Sequence, residues 1–286
     1  MAAANVLRAA LWMTGAIASF TLMAVAGRAT ASTHDTFEMM MYRSVIGIII
    51  VCAVLTWTGT WHRVSRDRLG LNMARNLAHF IGQNLWFYSL TLIPLAQVFA
   101  LEFTTPLWVI LLAPLLLGER ITLPKALAVG LGFLGILVVA RPGATPLNSG
   151  IAAAASCAIF FALTMIATKR LTRTEGIGSI LFWLTSMQLV LGLVASGYDA
   201  EIALPTAATI PWLILIGVCG LTAHFCITKA LAIAPATIVV PFDFARLPII
   251  AIVGALIYHE PIDLFVFIGG IMILSANYVN VKTSLA

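Results

Sequence analysis

The chain has 286 residues, of which 61% are hydrophobic and 9% charged, with a mean hydropathy of +1.04. Soluble domains carry about 25% charged residues, so this composition excludes a water-soluble globular, a disordered or a nucleic-acid-binding chain. The net charge of +5 rests on few residues and points to no nucleic-acid partner.

A bilayer-spanning helix needs about 20 mostly apolar residues, and ten runs meet that need. The first, 7–27, carries only Arg8 near its start and reads as a span rather than a cleaved signal. The second, 37–57, holds Arg43 and ends near Trp57 and Trp61, where an aromatic belt is expected. The third, 74–92, holds His79, Gln83 and Asn84, and the fourth, 95–117, holds Glu102 and Phe103. A glycine-spaced fifth, 123–140, follows Gly118-Glu119-Arg120. The sixth and seventh, 150–168 and 177–196, carry no charge. The eighth, 210–230, holds His224 and Lys229, the ninth, 235–257, holds Asp243, Phe244 and Arg246, and the tenth is 263–280. Such long apolar runs are helices, because lipid offers the backbone no partner and barrel strands are shorter. Cys52, Cys157, Cys219 and Cys226 sit in apolar runs as small hydrophobes, and no His/Cys set has metal-ligand spacing.

The even span count puts both termini on one side. If that side is the cytoplasm, it holds Arg8, Arg63, Arg66, Arg68, Arg75, Arg120, Lys125, Lys169, Arg170, Arg173, Lys229 and Lys282, twelve of the sixteen basic residues. The outer loops then hold Arg28 and Arg141, a strong positive-inside bias. Every loop is short, so function lies between the helices.

The two halves resemble one another. A shift of 141 residues places Pro94 on Pro235, Glu102 on Asp243, Phe103 on Phe244 and Glu119 on Glu260. Five spans per copy is an odd number, so tandem copies cross the membrane with opposite topology. Inverted repeats that rock about a midplane site are a hallmark of secondary transporters. The expected fold class is an all-α polytopic membrane protein, with ten transmembrane helices arranged as two inverted five-helix repeats, 1–143 and 144–286.

The segment TPLWVILLAPLLLGERITLPKALAVGLGFLGILVVARPG, residues 105–143, is the most specific piece. Through Pro106, Gly118, Glu119, Arg120, Gly130 and Gly135 it resembles the drug/metabolite transporter superfamily, in its ten-span EamA-type branch. The second copy departs from the pattern, with Tyr258-His259-Glu260 in place of Leu-Gly-Glu and Pro248 one position nearer its glutamate. The resemblance implies a multi-pass bacterial inner-membrane protein of two five-helix repeats, moving a small organic metabolite or drug-like compound, and the positive-inside bias places both termini in the cytoplasm. It names no substrate, since the branch spans amino acids, vitamins, nucleoside-like compounds and drugs. No catalytic motif and no cofactor motif is present. The alternative is a membrane-embedded enzyme or lipid-handling protein. The partners expected are a small-molecule substrate, the lipid bilayer and a coupled proton, with monomer and homodimer both open.

The candidate site residues are the polar groups that lipid does not tolerate. Arg43 is either a cavity cation for a substrate anion or a structural ion pair. Glu102 and Asp243 occupy matching positions. Arg246, three residues after Asp243, is a ready partner for it, whereas Glu102 has no basic neighbour in sequence and is the better proton-coupling candidate. His79, Gln83 and Asn84 lie on or near one side of their helix, and His224 aligns with Gln83, which suggests one shared cavity or interhelical hydrogen bonds. Trp86, Tyr88, Phe99, Phe103, Trp183, Phe242 and Phe244 are candidates to stack on a flat ring, with Phe103 and Phe244 first because each adjoins an acid. Glu119 and Glu260 read as helix-end or gating residues. Gly130, Gly132 and Gly135 read as close-packing positions.

Overall fold

The computed structural model describes residues 3–118, 121–141, 148–198, 201–260 and 264–285. Among them there is no strand, and helices account for nearly everything. They are α1 (Ala3–Thr30), α2 (Thr36–Trp57), α3 (Leu69–Leu92), α4 (Leu95–Glu102), α5 (Thr105–Leu117), α6 (Leu123–Ala140), α7 (Ser149–Leu171), α8 (Ile177–Ser196), α9 (Ile210–Ile233), α10 (Ala236–Val239), α11 (Arg246–Tyr258) and α12 (Leu264–Leu285). Six stretches, with α4 and α5 taken as one, are long and apolar enough to cross a bilayer, and shorter apolar helices accompany them. Large apolar side chains such as Leu115, Val194 and Leu256 are exposed, as expected of a surface that faces lipid. The chain is a multi-pass membrane protein.

The helix ends follow local chemistry. Asp35 caps α2 by accepting from the Glu38 N–H, while Glu38 reaches back to the Asp35 N–H in a capping box. Gly118 ends α5 with φ 70°, the left-handed geometry glycine adopts without strain. His259 ends α11 in the same geometry, φ 54°, which explains how the second copy does without the glycine.

The fourth and ninth runs are not the continuous helices expected. The fourth breaks between Glu102 and Thr105, and the ninth passes through a 3-10 segment, Val240–Ala245. Pro106 is the physical reason for the first break. It has no N–H to give to the Glu102 carbonyl, and its ring crowds that carbonyl. The Thr105 hydroxyl takes the vacated acceptor at 2.6 Å, and the Thr104 hydroxyl bonds Leu101 O at 2.9 Å. Pro241 lies within the second irregular segment. Each break falls beside an acid.

Four helix pairs dominate the packing: α1 along α9, α3 along α7, α2 along α8 and α6 along α12. Lipid removes most of the hydrophobic drive between helices, so close van der Waals fit carries association. Gly192 lets α8 touch α2 directly, since a Cβ there would lie 2.9 Å from the Met41 Cα. Gly132 in α6 faces Leu107 and Ala276. Gly130 meets nothing within 4 Å, so the packing expected of it is absent.

Candidate functional site

A cavity lies between α1, α3, the α4–α5 break, α7, α9 and the start of α11. Its walls include Met13, Phe20, Met23, His79, Gln83, Trp86, Glu102, Phe103, Thr105, Phe161, Thr164, His224, Ile227, Asp243 and Arg246. The cavity volume is about 40 Å³, room for roughly three waters.

One end is an ion cluster. Arg246 Nη2 donates to Glu102 Oε1 at 2.5 Å and to Asp243 Oδ2 at 2.6 Å. Trp86 Nε1 donates to the other Glu102 oxygen at 2.7 Å. The guanidinium is also enclosed by aromatic rings, with Phe99, Phe20 and Phe103 centroids at 4.6, 4.9 and 5.5 Å. The broken helices bring both acids to this cation. One guanidinium cannot neutralise two ionised carboxylates, and Asp243 Oδ1 has no partner.

The other end is an imidazole pair. His79 and His224 meet edge to face with ring centroids 4.5 Å apart. Arg75 Nη2 donates to His224 Nδ1 at 3.4 Å, so His224 Nε2 carries the proton. That atom, both His79 nitrogens and Gln83 Nε2 are buried without partners. Buried polar groups left unpaired cost about 1–3 kcal/mol each, so these are groups a ligand or water would satisfy.

The structure therefore gathers His79, Gln83, Glu102, Phe103, His224, Asp243 and Arg246 around one space, and it corrects several expectations. Glu102 is not without a basic partner. Arg246 reaches it from 144 residues away, a pairing invisible to local spacing. Arg43 does not line this cavity. It borders a smaller pocket with Ser44, Gly47, Thr185 and Gln188. Arg75 is not at a helix end, because α3 starts earlier than expected, at Leu69, and buries it. Asn84 does not line the cavity either, and its Nδ2 donates to Phe80 O at 2.8 Å. Of the candidate aromatics, Trp86 and Phe103 line the cavity, while Phe99 is buried behind them and Phe242 is partly buried against the core. Tyr88 is exposed and pairs with Ser149, and Trp183 donates to Ser65 O in a loop at 2.7 Å. Glu119 and the Phe244 side chain lie outside the described residues. Sequence reasoning missed Phe20, Phe161, Met23 and Thr164. The 141-residue shift was the available signal, since it pairs Phe20 with Phe161 and Met23 with Thr164.

Glu260 sits at a helix end, away from the cavity. It forms an ion pair with Arg28 and accepts the Leu95 N–H at 3.0 Å. Arg28 also donates to Leu90 O at 2.9 Å and Ile93 O at 2.7 Å. This clasp ties α1, α3, α4 and α11. The shift places Arg28 on Lys169, and Lys169 Nζ donates to Leu231 O at 2.6 Å and Ala234 O at 2.8 Å, the shifted counterparts of Leu90 and Ile93.

The model of the EamA-like transporter family matches twice, at residues 7–141 and 148–281. The chain belongs to the EamA-like transporter family. A riboflavin transporter of Brucella anthropi is 30% identical over 240 residues, covering 82% of this chain and 84% of that protein. An S-adenosylmethionine uptake transporter of Rickettsia conorii is 26% identical over 264 residues, covering 92% and 88%. A pseudopaline exporter of Pseudomonas aeruginosa is 25% identical over 261 residues, covering 90% of each. One crystal structure superposes with a TM-score of 0.76 at 20% identity over 97% of both chains, which shows the shared fold. Like those relatives, this EamA-like protein is a membrane transporter of small metabolites, and the names point to transport rather than enzyme chemistry.

Proposed function

We propose that the chain is a secondary transporter that carries a ring-bearing organic metabolite across the bacterial inner membrane by alternating access, using ten spans in two inverted five-helix repeats, 1–143 and 144–286. One observation carries the reading. Residues paired by the 141-residue shift converge on a single cavity: Phe20 with Phe161, Gln83 with His224, Trp86 with Ile227, Glu102 with Asp243 and Thr105 with Arg246. The helix packing supports it as well. Exchanging the halves converts the α1–α9 pair into α7–α3 and returns α2–α8 and α6–α12 to themselves.

The walls suit a flat ring, and S-adenosylmethionine and riboflavin, the cargoes named for relatives, both contain a fused heteroaromatic ring. The surplus carboxylate charge beside Arg246 is balanced by a proton or by a cationic group of the substrate, which links transport to charge movement. The two clasps act as gates at opposite membrane faces. A lipid-handling role would need a groove open along the bilayer, whereas helices on several sides wall this cavity.

Counterflow in vesicles tests the proposal. Purified protein preloaded with unlabelled S-adenosylmethionine or riboflavin should accumulate the labelled compound, and an imposed pH gradient should change the rate. Failure to move either compound, or any member of a wider panel of nucleosides, amino acids and vitamins, would argue against it.

A further inference from the structure

Two buried cations are left over once the Arg246 cluster is accounted for. Arg43, the eighth residue of α2, is 4% exposed, and Arg75, the seventh of α3, is 1% exposed. The two helices run in opposite directions, so both side chains lie well inside the bundle. A guanidinium in this setting ordinarily has a carboxylate partner. Arg246 has two. Among the described residues, neither Arg43 nor Arg75 has one. Arg75 bonds only neutral groups: Thr168 Oγ1 at 3.1 Å, Asn76 Oδ1 at 3.2 Å and His224 Nδ1. Arg43 Nε is buried without a partner. The two guanidinium groups are close enough for their like charges to repel.

Their surroundings are built to hold positive charge next to the cavity. The Arg43 guanidinium lies against Gly220 of α9, where any Cβ would collide with its Nε. Gly220 is one helical turn from His224, and Arg75 is one turn from His79. The imidazole pair thus stands between the cavity and the two guanidiniums. Every unpartnered nitrogen on this side is a donor or can become one, and among the described residues no carboxylate pairs with it. At the far end of the same cavity, Glu102 and Asp243 share the single guanidinium of Arg246. A cavity backed at one end by cations without carboxylate partners, and lined at the other by two carboxyl groups sharing one cation, is complementary to a ligand with the opposite arrangement.

We infer that His79 and His224, with the Arg43 and Arg75 guanidiniums behind them, form the binding site for an anionic group of the transported substrate, a carboxylate or a phosphate. The inference rests on the transporter reading and narrows it to an anionic or zwitterionic metabolite. The anionic group meets the imidazole pair in front of the two guanidiniums, the substrate ring lies between the aromatic walls, and a cationic or neutral portion faces Glu102 and Asp243. The substrate brings the counter-charge that the protein lacks.

The test uses purified full-length protein and does not require the natural substrate. Thermal stability is titrated at constant ionic strength with inorganic phosphate, acetate and chloride, and then with two matched pairs: riboflavin 5′-phosphate against riboflavin, and S-adenosylhomocysteine against methylthioadenosine, which lacks the amino-acid group. Phosphate and acetate should stabilise the protein more than chloride does. In at least one pair the anionic member should bind about tenfold tighter, the effect of a charge-assisted contact. Arg43→Gln and Arg75→Gln should each erase the preference, and Arg43→Lys should restore part of it. Should the glutamine variants not fold, Gly220→Ala displaces the Arg43 guanidinium without removing its charge and should reduce the preference. Equal effects of all three small anions overturn the inference, as does a preference that persists in the variants. Stabilisation by small anions with no discrimination within either pair assigns the site to an inorganic counter-ion and also overturns it. Wild-type protein that prefers the anionic ligands yet moves none across vesicles would instead refute transport while the anion site stands.

Discussion

At the scale of the residue, the molecule is organised by Arg246. Breaking a buried pair by removing one partner costs about 3–5 kcal/mol, because the other charge is left uncompensated. Arg246→Met strands two carboxylates and should sharply lower the yield of monodisperse protein and its apparent Tm. Glu102→Gln should be far milder. It leaves Arg246 paired with Asp243 at balanced charge and keeps an oxygen for Trp86, so the protein should fold, while transport driven by a pH gradient should fall below counterflow. Size-exclusion profiles and vesicle assays on both variants check this, and equal damage from the two would refute the charge accounting. The Asp243–Arg246 half of the cluster was legible in the sequence as a spacing of three. The Glu102 half was not. The repeat register says that Glu102 and Asp243 occupy equivalent places, but not that equivalent places meet at a pseudo-axis. The same limit hid Arg75, whose place as the seventh residue of α3 depends on a helix end that hydropathy alone sets a few residues late.

At the scale of the element, apolar runs located the helices well. The expected 123–140 and 177–196 coincide with α6 and α8. Hydropathy is blind to the backbone, so the breaks in the fourth and ninth runs were missed, although Thr104-Thr105-Pro106 and Pro241 mark them. Each of those breaks sets an acid at the cavity. The left-handed caps offer a cleaner element-scale test. Gly118 takes φ 70° freely, whereas His259 holds φ 54° with a Cβ, at a cost of about 1 kcal/mol. His259→Gly should therefore raise the apparent Tm by a few degrees, and Gly118→Ala should lower it. A thermal scan showing His259→Gly neutral or destabilising would mean that the His259 side chain contributes contacts larger than its backbone strain.

At the scale of the whole molecule, orientation and gating are linked. Burial of Arg75 removes one residue from the inner set, yet the bias among loop and helix-end cations remains strong, so both termini are expected in the cytoplasm. Reporter fusions after Ala286 and after Pro205 should read cytoplasmic and periplasmic, respectively. The opposite pair of readings would invert everything that follows. With that orientation, the Arg28–Glu260 clasp closes the outer face and the Lys169 clasp the inner face. Each holds the carbonyls at the end of one helix of its own half, α3 for Arg28 and α9 for Lys169, and Glu260 carries the outer clasp across to the other half. Weakening one clasp lowers the energy of opening only on its own side. Population shift then makes opposite predictions for two equivalent changes. In a background lacking the four native cysteines, a cysteine placed at Thr164 reports on cavity access. A membrane-impermeant maleimide applied outside intact cells should label it faster in Arg28→Ala and more slowly in Lys169→Ala than in the parent. Inside-out vesicles should reverse the order. Inverted repeats require this antisymmetry, because the two-fold operation that exchanges the clasps also exchanges the faces. Labelling that rose in both variants from the same side would show that the clasps merely hold the bundle together, and the gating role of Arg28, Glu260 and Lys169 would fall.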